Sequence, residues 1–264
     1  MESCSVQYAS EDAGDTGPAG ADGVDGQGVP TGGTAGQVLS KIDGTDYNTH
    51  WVAQSGGASY QNPIDSPPST PHAKDDEFNG TSLDGKWSWV NRGAATASVS
   101  NGNLYIDMLS GGDHSRLLVQ EAPTGDFVCT AKVSMVAPIE SYLRNGIVLY
   151  NSANGNRIIF GYRINRSYYG TEPSVGGVKC QNSSWTDDLP VALINNPYIY
   201  ARVSLASGTL TFDWSTDGEK WINLTSETVS NYLGAITHIG IGTFRNNGDG
   251  KTYFSKVDWF RVIE

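Results

Sequence analysis

Glycine occupies every third position from 14 to 26. Gly14, Gly17, Gly20, Gly23 and Gly26 head five successive triplets, the second reading Gly17-Pro18-Ala19. Only glycine fits the crowded axis on which three polyproline-type chains wind together, so a strict period of three points to an assembly of three chains. A flexible glycine-rich linker is the plainer alternative, although linkers seldom keep a strict period. So short a run cannot hold three chains together unaided, and the neighbouring sequence has to contribute.

That neighbour is a compact motif, GGTAGQVLSKIDGTDYNTHWV, at residues 32–52. Asp43-Gly44 between two short apolar runs is a hairpin signal. A lone hairpin is marginally stable at best, so Val38, Leu39, Ile42, Trp51 and Val52 need partners. Copies of the segment around a threefold axis would supply them. Collagen-like triplets followed by this motif resemble the shaft modules of bacteriophage tail fibres and related virion appendages. The resemblance implies a homotrimer whose shaft rests on Gly14, Gly17, Gly20, Gly23, Gly26, Val38, Leu39 and Trp51. It also implies a receptor-binding virion protein acting outside the cell, attached to phage structural proteins through its N-terminus and binding host cell-surface polysaccharide. A capsid-attached fibre or decoration protein without a specific receptor would have the same build.

Charge is uneven along the chain. Residues 1–75 carry ten acids and two lysines, a net −8, whereas residues 76–264 carry 18 acids and 15 Lys and Arg, a net −3. An acidic shaft does not suit a phosphate backbone, so nucleic acid is not expected as a partner. No stretch reaches the ~18 apolar residues of a membrane span, and no signal-like segment opens the chain. Membrane insertion is therefore not expected. A virion protein released by lysis fits these features, and so does an ordinary cytoplasmic protein. Cys4, Cys129 and Cys180 are odd in number and widely spaced, which makes no disulfide framework. His50, His72, His114 and His238 are scattered, and no CxxC, HExxH or Walker pattern occurs.

The chain divides by composition into a polar attachment segment (1–13), the triplets (14–28), the hairpin module (29–54) and a Pro/Ser/Gly-rich linker (55–74). From 75 to 264 the pattern changes to short apolar alternations between turn signals. Phe127, Cys129, Ala131 and Val133 share one face, and Cys129 reads as a small buried hydrophobe. Leu210, Phe212 and Trp214 share another such face, and Trp87, Trp214 and Trp259 read as core. Many strands with turns between them, and no helical stripe, predict an all-β, two-sheet jelly-roll sandwich. The landmarks DDEFNGTSLDGKWSWVN, GNLYIDM, GDFVCTAKVSM, RNGIVLYNSANGNRIIFGY, LTFDWSTDGEKW and FSKVDWFRV follow in order. Together they resemble the concanavalin A-like (LamG-type) domains of carbohydrate-binding proteins, especially the C-terminal domain of some β-xylosidases. That resemblance implies the sandwich fold and, by analogy, glycan binding. It also brings in the alternative of an accessory carbohydrate-binding module from a bacterial glycoside hydrolase.

No catalytic constellation stands out. The doublets Asp75-Asp76 and Asp187-Asp188 place neighbours on opposite strand faces, which is no ready pair for glycoside hydrolysis. The expectation is a protein that is not an enzyme. In sandwiches of the resembling type an acid near the first strand and one near the last can share a calcium ion, and Asp76 and Asp258 match those places. The alternative is that backbone donors satisfy both. Sugar recognition needs flat aromatic faces and planar polar groups. These concentrate in Tyr142, Arg144, Tyr162, Tyr168, Tyr169 and Trp185, with Arg245 at a later strand end. Residues 165–190 read as an excursion longer than the fold requires. The same aromatics would also suit a subunit interface.

Overall fold

Asp43 and Gly44 turn the chain between β1 (Gln37–Lys41) and β2 (Thr49–Ala53), an antiparallel pair with Leu39 opposite Trp51. Asp43 accepts the Thr45 N–H at 2.8 Å and the Asn48 side-chain amide at 2.9 Å. Those bonds, the backbone one first, hold its carboxyl below the usual range. The Trp51 indole N–H donates to the Pro30 carbonyl at 2.6 Å. The Trp51 ring also lies over Gly33, where a Cβ would come within 2.4 Å of it. Leu39 and Ile42 are exposed, as expected of a hairpin that has no core of its own.

The computed structural model describes residues 30–34, 37–45, 48–53, 63–108, 115–136, 143–164, 173–182, 184–245 and 252–264. The expected attachment segment and all five triplet glycines lie outside them, as does the side chain of Val38. The chain forms two units, residues 1–60 and 61–264.

The second unit is a β-sandwich. Its strands are β3 (Ser88–Val90), β4 (Ala97–Ser100), β5 (Asn103–Met108), β6 (Ser115–Glu121), β7 (Phe127–Val136), β8 (Leu143–Tyr150), β9 (Asn156–Ile164), β10 (Pro173–Gln181), β11 (Ser184–Asp188), β12 (Ala192–Leu193), β13 (Tyr198–Ala206), β14 (Thr209–Ser215), β15 (Ile222–Thr228), β16 (His238–Arg245) and β17 (Tyr253–Ile263). Among the described residues α1 (Val229–Tyr232) is the one α-helix. The larger sheet runs β11-β10-β9-β8-β16-β6-β3, with β12 beside β10, and the smaller runs β15-β14-β13-β7-β17-β5-β4.

Alternation along β7 sends Phe127, Cys129, Ala131 and Val133 inward, as the sequence pattern predicts. They meet Ile147, Leu149, Ile158, Phe160, Ile239 and Ile241 of the larger sheet. Burying each such large side chain contributes about 1.5–3 kcal/mol. The larger sheet is also buried on its outer face, where Leu117, Val119, Val148, Ile159, Val178, Cys180 and Phe244 form a second cluster. Two buried faces explain why Leu117-Leu118-Val119 and Ile158-Ile159-Phe160 are continuous apolar runs instead of alternations. Gly146 and Gly161 face each other across β8 and β9. A Cβ at Gly161 would lie 2.4 Å from the Asn145 carbonyl oxygen, so the two backbones need glycine there.

Two expectations need correction. Part of the expected excursion, 173–181, is strand β10, paired along its length with β9 and buried through Val175, Val178 and Cys180. The expected linker ends early, since residues 63–74 belong to the sandwich unit. Pro63–Asp65 form a 3-10 turn, and the segment after it zips onto β17. Asp76 and Phe260 exchange backbone hydrogen bonds, both at 2.8 Å, and the Asp75 carboxylate accepts the Val262 N–H at 2.7 Å. Trp87 then packs against Phe78 and, edge-on, against Phe260.

Candidate functional site

The outer face of the smaller sheet is polar and aromatic. β7 contributes Lys132, β13 contributes Tyr198 and Tyr200, and β17 contributes Asp258 and Trp259. The register of β17 against β7 shifts between Val257 and Trp259. Val257 and Phe260 both lie in the core, so the extra residue leaves Asp258 and Trp259 together on the outside. Asp65 is the hub of this face. One carboxylate oxygen accepts Lys132 Nζ at 2.9 Å and the Tyr200 hydroxyl at 3.0 Å, and the other accepts the Trp259 indole N–H at 3.1 Å. Lys132 Nζ also lies 3.0 Å from Asp258. Burial works against its charged form, but the Asp65 and Asp258 hydrogen bonds outweigh it and hold the ammonium above the usual lysine range. Burial likewise pushes the Tyr200 hydroxyl up.

Two cavities adjoin at Lys132 and Asp258, each of about 300 Å³. Asp65, Glu77, Asn79, Asn101 and Trp259 line the first. Asn103, Ser134, Pro197, Tyr198 and Lys256 line the second. The Tyr198 ring, half-buried, lies 4.9 Å from Lys132 Nζ. Asn103 donates to the Asn101 carbonyl at 2.8 Å, while its own buried side-chain oxygen accepts no hydrogen bond. A ring face, a cation, a free carbonyl acceptor and several amides shared between the two adjoining hollows can hold a polyhydroxylated ligand. Glu77 is taken up by Arg261 in a two-pronged pair at 2.7 and 2.8 Å.

The outer face of the larger sheet carries a different arrangement. Phe244, Arg144, Arg163 and Ser174 line up across β16, β8, β9 and β10. Asp188 on β11 accepts Arg144 Nη2 with both oxygens at 3.2 Å, Arg163 Nη2 at 3.1 Å and the Trp185 indole N–H at 3.2 Å. Both guanidiniums are buried, whereas Trp185 is 52% exposed. Burial, and then the neighbouring Arg163 charge, hold the Arg144 pKa below the usual range.

The predicted glycan residues are thus divided. Arg144 and Trp185 share Asp188 on the outer face. Tyr162 belongs to the core cluster between the sheets, with its hydroxyl on the Asn196 carbonyl at 3.2 Å. Arg245 stands opposite the core residue Leu143 and donates to the Met108 carbonyl at 2.5 Å. Strand parity turns both of these away from Arg144. Tyr142, Tyr168 and Tyr169 lie outside the described residues. Trp87 and Trp214 join the core as expected. Trp259 is buried on the outside instead, by Asp65 and by the Arg261 guanidinium 4.1 Å from its ring.

Asp76 and Asp258, the expected calcium pair, are engaged separately. Asp76 accepts the Phe78 N–H at 2.8 Å and the Trp87 indole at 2.7 Å, and Asp258 is paired with Lys132. An ion shared between them would have to displace those donors. No group of three or more candidate ligands from His, Cys, Asp and Glu occurs among the described residues. The sequence reading passed over Asp65 and Lys132 and weighed Asp188 only as half of an acidic doublet; Arg163 stands in the aromatic, arginine-rich stretch but outside the expected glycan set. Asp65 and Lys132 carry no local signal. Arg163 shares period-two parity with Ile159, a pattern hidden where both faces are buried.

A family model described as the beta xylosidase C-terminal concanavalin A-like domain matches residues 75–263. The GH43 BlXynB protein from Bacillus licheniformis superposes with a TM-score of 0.59 at 19% identity, over 74% of this chain and 40% of that one. A xylan β-1,4-xylosidase from Bacillus halodurans gives 0.56 at 16%, over 75% and 40%. The CBM2 module of the evolved Dit of a Lactobacillus casei phage, J-1, gives 0.50 at 12%, over 71% and 93%. The chain therefore spans two fifths of the length of the two Bacillus proteins. No curated protein matches the sequence.

Proposed function

The chain belongs to the family of β-xylosidase C-terminal concanavalin A-like domains, and from that premise we propose that it is a non-catalytic carbohydrate-binding protein. The observation that carries this reading is the pair of adjoining cavities on the smaller sheet, with Tyr198 as the stacking surface and Lys132, Asp258, Asn79, Asn101 and Asn103 as hydroxyl partners. The binding role is supported, not the chemistry of a hydrolase. Asp65, Glu77 and Asp258 are each tied to a cation, so none is poised as a free acid beside a nucleophile. Isothermal titration with xylo-oligosaccharides tests it. Tyr198→Ala should weaken binding by about 10–100-fold, the loss of one well-used aromatic contact of about 1–3 kcal/mol, with melting temperature unchanged. Unaltered affinity would place the sugar elsewhere.

A second reading concerns what carries the module. The triplets at 14–26 and the exposed Leu39 and Ile42 favour a trimeric stalk. The likeness to a phage Dit module favours a virion appendage. Three sandwiches on one stalk would then bind a host surface polysaccharide with raised avidity and no new contact. Immunogold labelling of purified particles tests this, and a protein found in lysate but on no particle overturns it.

A further inference from the structure

Arg144 and Arg163 present two buried cations to one carboxylate. Arg144 Nε, Arg163 Nε and Arg163 Nη1 are buried and make no hydrogen bond. Among the described residues Asp188 is the acid that pairs with either guanidinium, and it serves both. A buried cation without its counter-charge is costly, and an unpaired buried donor adds a further penalty. The excess charge and the idle donors lie on the same face and point to the same missing group, an anion with planar oxygens. Asp188 already shows the fit, since its carboxylate bridges both guanidiniums and the Trp185 indole. It also lies at the accessible side, its side chain 30% exposed and on an edge strand whose register shifts between Lys179 and Cys180. Half-exposed Trp185 beside it offers a ring face.

We infer that this face is a subsite for the carboxylate of a uronic-acid-bearing saccharide, with Arg163 and Arg144 as its cation pair, Trp185 as its stacking surface and Asp188 as an internal stand-in for the ligand carboxylate. The sugar part of the ligand rests on the carbohydrate-binding reading; the demand for an anion does not. The subsite is separate from the cavities at Lys132. Guanidinium and carboxylate match as planar forks, so arginine suits this task better than lysine.

The experiment titrates the full chain with xylotetraose and with a xylo-oligosaccharide of equal length bearing one glucuronic acid. The acidic sugar should bind about 10–100-fold more tightly, the range for a hydrogen bond to a charged group, and the advantage should shrink with salt. Arg163→Gln should abolish the advantage and leave xylotetraose affinity unchanged. Because that variant removes a buried group, Asp188→Asn provides the second arm. It frees the cation pair, so affinity for the acidic sugar should rise; a merely structural Asp188 would give a lower melting temperature and no gain. Tyr198→Ala should leave the acidic advantage intact. Equal binding of the two sugars in both the wild type and Asp188→Asn overturns the subsite while leaving the carbohydrate reading in place. No binding of either sugar overturns both.

Discussion

The indole N–H of Trp259 donates to Asp65 at 3.1 Å, although 194 positions separate them in the chain. Lys132 and Tyr200 converge on the same carboxylate. One side chain from the entering segment thus satisfies three groups on the face of the smaller sheet.

Asp65→Ala should lower stability by about 2–3 kcal/mol. It leaves Lys132 with Asp258 alone and strands the Tyr200 hydroxyl and the Trp259 indole N–H in a half-buried place, somewhat less than the full cost of breaking a buried pair. Urea unfolding measures this. A change below about 0.5 kcal/mol, typical of surface substitutions, would mean that the 3-10 turn is not pinned.

Gly161→Ala should destabilise by about 1–3 kcal/mol, since overpacking forces the backbone to move. The added methyl would meet backbone, not a flexible side-chain end. Gly85→Ala, where nothing lies within 4 Å, is the control and should be nearly neutral. Thermal denaturation of the two variants side by side decides it.

Burial pushes the Cys180 thiol from 9.0 up to about 12 and the Cys129 thiol further still. A thiol whose pKa rises on folding stabilises fully below the unfolded value and loses that contribution as pH climbs above it. Stability should therefore hold to about pH 9 and then fall by about 1.4 kcal/mol per pH unit for each thiol. Urea midpoints between pH 8 and pH 10.5 measure the slope. Cys180→Ala should remove one thiol's share, and an unchanged slope would assign the loss to other groups.

The full chain should scatter light as three copies of its 28.2 kDa mass. Gly20→Val should weaken the trimer, because no side chain fits the axis of a triple helix, and the sandwich should remain folded by circular dichroism. A wild-type monomer at micromolar concentration contradicts the stalk.

The sandwich was legible in the sequence where a strand has one wet face. In β7 every second residue is apolar, and Phe127, Cys129, Ala131 and Val133 point inward as read. It was less legible where both faces are buried. In β9 and β10 the period of two disappears, so Arg163 did not separate from Tyr162, and the polar, aromatic-rich run of 165–190 read as an excursion and not as a sheet strand. The cavities could not be read at all. Their shared residues, Lys132 and Asp258, become neighbours through the β7–β17 pairing, and Asp65 arrives from a segment whose prolines suggested a linker. Long-range pairing made that site, and local pattern holds no trace of it.

The zipper between the entering segment and β17 has a mechanical consequence. Asp65, Asp75, Asp76 and Glu77 all end on Trp259, Phe260, Arg261 or Val262. A tug on the chain upstream of residue 63 is thus delivered to β17, which lies between β7 and β5 inside its sheet and not at an edge. Tension arriving there must work against ladders on both sides of the strand, and cannot peel a border strand away one bond at a time. A load applied through the N-terminal side of the sandwich thus falls on an interior strand.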